Sequence, residues 1–235
     1  MDDLLVIDDG PIRHLRLNRP EQLNTFDPTL HDAVLREIRA AEADDSVRVL
    51  ALSGEGRALS AGENLRSGSG YPERYRHRLV ALDIGIGPLL LHEVTTALRE
   101  FPKPTVALIH GHALGAGYDY ALSCDFRLAT EDCNFGDPRI HRALWMAEGW
   151  SYKLPRLIPL GHVARVAYMG ETMDGQVALA MGLVHRVYPA GSDLREVARD
   201  FLLQLASLDA NAYAVTKRRL LRYLDAGWEV ACNRP

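Results

Sequence analysis

His110-Gly111-His112-Ala113-Leu114-Gly115-Ala116-Gly117 follows an apolar run, Val106 to Ile109, and leads into a helical pattern from about Tyr118. Strand, glycine-rich turn, helix is a local unit in which small side chains let a ligand approach the backbone. The helix start adds unpaired N–H groups and the positive end of its dipole. A second small-residue stretch, Leu59-Ser60-Ala61-Gly62-Glu63-Asn64-Leu65, follows the buried strand Val47 to Ser53. One N–H from each turn could converge on a single developing oxyanion.

The flanking sequence alternates strand and helix. Leu4 to Ile7 and Ile12 to Leu17 are β-rich runs around Asp8-Asp9-Gly10-Pro11, which reads as a hairpin. Asp27-Pro28 starts a helix, with Asp at the N-cap and Pro at the first position. Leu30, Val34, Leu35 and Ile38 continue it to about Ala43. Residues Arg66 to Glu73 read as a surface stretch, and a helix is expected from about Arg76 to Phe101 with a break near Gly85 to Pro88. Phe126 to Ala129 is a further strand. From Ala143 the pattern is mostly helical, with an apolar run at Val184 to Tyr188 and a final helix through Leu220. The order implies an α/β core with a helical C-terminal part.

Composition narrows the function classes. The 235 residues carry 47% apolar and 25% charged side chains with a net charge of −4, as ordinary globular chains do. Basic and acidic residues are interspersed, which argues against a nucleic-acid surface. No apolar run approaches ~18 residues, which argues against a membrane span. MDDLLVIDDG lacks the basic start of a signal peptide. Cys124, Cys133 and Cys232 are odd in number and lack metal-like spacing, which suits reduced thiols in the cytoplasm and no metal.

Seven motifs in register carry a resemblance. Leu17-Asn18-Arg19-Pro20-Glu21 with Leu23-Asn24 resembles the opening of the enoyl-CoA hydratase/isomerase (crotonase) family. Similar to that family too are Asp45-Ser46-Val47-Arg48-Val49 and the run Gly54 to Leu65. So are Lys103-Pro104-Thr105-Val106-Ala107 leading into Gly111 to Gly117, and Cys124-Asp125-Phe126-Arg127-Leu128-Ala129 before Asn134-Phe135-Gly136-Asp137-Pro138. Leu154-Pro155-Arg156-Leu157-Ile158 and Ala180-Met181-Gly182-Leu183-Val184 complete the series. The resemblance implies a crotonase-like (ClpP/crotonase) spiral of repeated ββα units with a helical C-terminal region. Residues 1–190 would form the core with the active site. Residues 191–235 would form a shorter than usual helical region involved in oligomerisation, as a homotrimer or a dimer of trimers. It implies an acyl thioester substrate that brings coenzyme A with it, no tightly bound cofactor, and Ala61 and Ala116 as the oxyanion-hole donors. Leu59, Glu63, Leu65, Gly115, Arg139 and His141 would line the substrate.

The acid–base positions depart from the family pattern. Hydratases of the family place one Glu on the helix after the glycine turn and a second after Phe-Gly-x-Pro; here the positions hold Asp119 and Arg139. Arg neither gives nor takes a proton near neutral pH, so ordinary two-carboxylate hydration is disfavoured. Glu148, among Trp145, Met146 and Trp150, offers a replacement carboxylate whose apolar neighbours would raise its pKa. Arg139 would either anchor a substrate carboxylate or pair with Asp119 or Glu148. His141 and His112 lie near the same segments, and Tyr118 and Tyr120 read as packing residues. The expected chemistry is isomerisation or a specialised hydration or dehydration of an enoyl thioester. Decarboxylation or C–C hydrolysis of a β-dicarbonyl is the alternative, and a non-catalytic subunit a third reading.

Overall fold

The computed structural model describes residues 2–64, 90–142 and 150–233. The N-terminal hairpin forms as expected: β1 (Leu4–Asp9) pairs antiparallel with β2 (Ile12–Leu17). Helix α1 (Pro28–Ala43) begins where Asp27 Oδ1 accepts the Leu30 N–H at 2.9 Å. It buries Leu30, Val34, Leu35, Ile38 and Ala41 along one stripe. Strands β3 (Val49–Gly54), β5 (Thr105–Ile109), β7 (Phe126–Thr130) and β10 (Arg186–Tyr188) then extend β2 in parallel, in the order β1-β2-β3-β5-β7-β10.

Both faces of the central strands β3 and β5 are covered, which is why these two read as largely apolar runs. Val106 and Leu108 of β5 share a core with Leu194 of α7 (Leu194–Val197), Leu202 of α8 (Arg199–Ala206) and Ala198, the cap residue between the two helices. Ala107 and Ile109 face the larger core shared with α1 and α2 (Leu90–Glu100). Of the helix expected from Arg76, the part before Leu90 lies outside the described residues, as does the stretch Arg66 to Glu73.

The two small-residue stretches are not plain turns. Each holds a three-residue strand of a second sheet, β4 (Ala58–Ser60) and β6 (His112–Leu114), and a third follows β7 as β8 (Asn134–Gly136). The order is β4-β6-β8-β9, with β9 (Thr172–Met173) antiparallel to β8. Three residues are too few to display the period-two alternation that betrays a strand. Each long strand thus turns a corner into a short one: β3 to β4, β5 to β6, β7 to β8. That repeat is the crotonase-like spiral.

After β6 comes α3 (Ala116–Ser123), buried along its whole length. The C-terminal region holds α4 (Trp150–Leu157), α5 (Leu160–Met169), α6 (Gly175–Ala180) and α9 (Ala210–Asn233) besides α7 and α8. None of the described helices is long and apolar enough to cross a membrane.

Candidate active site

The first turn is built on the Leu23-Asn24 loop, which the sequence marks as a motif without revealing its role as a support. Leu23 and Asn24 take positive φ values of 51° and 54°, a conformation Asn tolerates better than most residues. Asn24 is fully buried, and its Nδ2 donates to the carbonyls of Glu55 (2.9 Å) and Ala58 (2.8 Å). Ser60 Oγ donates to the Asn24 carbonyl at 2.8 Å and accepts the Gly62 N–H at 3.1 Å. The loop and β4 are thereby locked together.

This lock overturns one expectation. The Ala61 N–H donates to the Leu23 carbonyl at 2.9 Å, so it is spent on the loop rather than aimed at a ligand. Two residues on, a parallel bridge joins Phe26 to Glu63: the Phe26 N–H donates to Gly62 O (2.9 Å), and the Asn64 N–H to Phe26 O (2.9 Å). In such a bridge the central residue's own N–H points to the opposite side. The Glu63 amide therefore faces away from the loop.

The second turn closes against the first. Gly62 has φ +95°, and a Cβ added there would lie 2.8 Å from Leu114 O and 3.4 Å from Ala116 N. Gly117 is equally tight, with an added Cβ 2.8 Å from Ser60 O. Only glycine at both places lets the backbones touch. Gly115 is the N-cap of α3 and Ala116 its first residue. A first-turn N–H has no intrahelical acceptor, and among the described residues none takes that of Ala116. The positive end of the α3 dipole thus abuts the Gly62 turn.

One turn along α3, Asp119 is fully buried, and its Oδ2 accepts from Arg139 Nη2 at 3.0 Å. Arg139 also grips Asp137, Nε to Oδ1 at 2.8 Å and Nη2 to Oδ2 at 2.5 Å. The Asp137 side chain is 1% exposed and that of Arg139 15%, so one cation serves two buried carboxylates. Of the two roles expected for Arg139, pairing with Asp119 is observed. Lys153 Nζ holds the far end of α3 through Ser123 Oγ at 2.6 Å.

A second cluster lies beneath the first turn. His31 Nε2 meets Glu63 Oε1 at 2.6 Å, and its Nδ1 makes a short contact with the Tyr120 hydroxyl. Phe26 stacks on the His31 ring at 4.8 Å and meets Tyr120 edge-on at 4.9 Å. Tyr120 is thus the expected packing residue, with a polar contact in addition.

Other expected residues fall elsewhere. Leu59 is a fully buried core side chain of β4. His141 is exposed on the 3-10 segment Pro138–Arg142, with its Nε2 against Gly170 at the end of α5. His112 Nδ1 contacts Asn134 Nδ2 at 3.2 Å. Glu148 and Leu65 lie outside the described residues. Among the described residues no group of three or more His, Cys, Asp or Glu could hold a metal ion.

The model of the enoyl-CoA hydratase/isomerase family matches residues 9–228. The chain is 29% identical to the 2,3-dehydroadipyl-CoA hydratase of Escherichia coli K12, over 98% of its own length and 85% of the relative's. The crystal structure of an enoyl-CoA hydratase from Bacillus anthracis superposes with a TM-score of 0.87 at 26% identity, covering 98% of this chain and 86% of that one. A monofunctional enoyl-CoA isomerase from M. smegmatis gives a TM-score of 0.80 at 27% identity, with 99% of both chains covered.

Proposed function

We infer the chemistry from kinship: the chain belongs to the enoyl-CoA hydratase/isomerase family. The reading is an enzyme of the lyase or isomerase kind that holds an acyl-CoA thioester and stabilises its enolate. The two donors are the amides of Glu63 and Ala116, and Asp119 handles the proton. The observation that carries this is the contact of the Gly62 turn with the N-terminus of α3, one helical turn from Asp119. Two donors in a water-poor setting are worth roughly 2.7–4 kcal/mol each to a developing oxyanion.

Double-bond isomerisation suits this chemistry best. A carboxylate takes the α proton of a 3-enoyl thioester, the dienolate rests on the two amides, and the proton returns at the γ carbon to give the 2-enoyl thioester. One base suffices for both transfers. Hydration needs a second group to activate water, and at that position Arg139 is engaged with Asp119 and Asp137. The same engagement weighs against Arg139 as an anchor for a departing carboxylate. Glu148 remains the proposed second carboxylate for a specialised hydration or dehydration.

Coenzyme A arrives as part of the substrate, and no tightly bound cofactor is invoked. Leu160, Tyr168 and Met169 on α5, with Leu220 and Leu224 on α9, are exposed apolar side chains. They support a homotrimer or a dimer of trimers built on the C-terminal helices; the cytoplasmic reading rests on the cysteine pattern. Incubation with 3-hexenoyl-CoA and 2-hexenoyl-CoA tests the reaction. Conversion of the first into the second supports isomerisation; water addition to the second supports hydration. Turnover of neither, with the protein folded, rejects the enzymatic reading.

A further inference from the structure

Glu63 is held from two directions at once. Its neighbours Gly62 and Asn64 are bonded through their main chains to Phe26. Its side chain ends on His31 Nε2 at 2.6 Å, and His31 is itself fixed by the Tyr120 hydroxyl and by the Phe26 ring stacked upon it. His31 is 3% exposed and Tyr120 fully buried, while the Glu63 side chain is 29% exposed, so the inner end of the tether is the part shielded from solvent. A carboxylate accepts, so His31 Nε2–H donates to Glu63.

An anchor of this kind has a consequence for aim. A residue bonded only through its main-chain neighbours can still rock about its own φ and ψ. A side chain tethered at its far end to a buried, stacked ring removes that freedom. Tyr120 sits beside Asp119 on α3, the helix that supplies the Ala116 amide. The tether therefore runs from one turn, through α1, to the helix of the other.

We propose that His31 is a positioning residue: through Glu63 and Tyr120 it fixes the first-turn amide in register with α3, so that both amides meet one carbonyl oxygen. This rests on the reading of Glu63 and Ala116 as the oxyanion donors. Loss of one such donor lowers kcat by about 10²–10³; loss of its aim alone should lower kcat about 10- to 100-fold and leave KM within about threefold.

The test uses hexanoyl-CoA carrying ¹³C at the thioester carbonyl, a saturated ligand that does not turn over, with isotope-edited infrared difference spectra. The wild-type complex should shift the carbonyl stretch to lower wavenumber. His31→Ala should lose much of that shift at comparable affinity, and His31→Gln, which keeps a donor to Glu63, should regain part of it. If His31→Ala does not fold, His31→Gln and Glu63→Ala carry the same comparison, the second losing the shift and the first keeping some of it. A wild-type shift that survives intact in the folded His31→Ala and Glu63→Ala proteins overturns the positioning role. Absence of any shift in wild type overturns the oxyanion reading, and the positioning role with it.

Discussion

Replacing Arg139 by Ala would take from two buried carboxylates the guanidinium they share. Asp119 is fully buried and Asp137 is 1% exposed at its side chain, while Arg139 reaches both at 3.0 and 2.5 Å. Removing one partner of a buried pair typically destabilises by about 3–5 kcal/mol, because the remaining charge lacks both water and counter-ion. Two anions left together place Arg139→Ala in that range. For a domain of this size 1 kcal/mol corresponds to roughly 2–4 °C, so the expected fall in Tm is about 6–20 °C. Urea unfolding of wild type and variant, at equal m, gives the free energy directly. The Arg139→Ala/Asp137→Asn double variant removes one of the two charges and should recover part of the loss. A loss below about 1 kcal/mol, or a double variant weaker than the single, would refute the picture of one guanidinium neutralising a buried acidic pair.

Three further outcomes follow from the same structure. Asp119→Asn should lower kcat by about 10²–10⁴ with little change in KM, measured as 3-hexenoyl-CoA conversion, since general-base catalysis contributes that much. Burial holds the imidazoles of His14, His110 and His185 below the usual 6.5, and His185 Nδ1 also accepts the Arg127 N–H. The unfolded chain takes up protons as pH falls through about 6.5 while the folded chain does not, so these groups leave stability intact above that pH and erode it below. Urea midpoints at pH 7.5 and 5.5 should therefore differ, the lower pH being less stable, and His185→Asn should narrow the gap. Burial pushes the thiols of Cys124 and Cys133 up to about 12, so neither should react with DTNB until the protein unfolds.

The legible parts of the fold were those with a local physical signature. Asp27-Pro28 announced α1 because cap and first turn are chemical events within four residues. Strand β5 announced itself because burial on both faces leaves no polar position from Val106 to Ile109. The second sheet stayed hidden because β4, β6 and β8 have three residues each, and their partners lie dozens of positions away. The same non-locality explains Ala61. Which amide of Leu59 to Leu65 is spent depends on the Leu23–Phe26 loop laid across it, and no pattern within the turn reveals that loop. His31 was silent for a related reason: a single polar position on the buried stripe of α1 carries no periodic signal, and its partners come from β4's turn and α3. Asp119 and Ala116, by contrast, stand within two residues of Gly117, and the family resemblance singles both out.

A crystal structure of the protein with bound hexanoyl-CoA addresses the core of the mechanism most directly. The thioester oxygen should lie about 2.7–3.1 Å from both the Glu63 and the Ala116 nitrogens. An acyl carbonyl bound elsewhere, or one that reaches neither amide, would contradict the account.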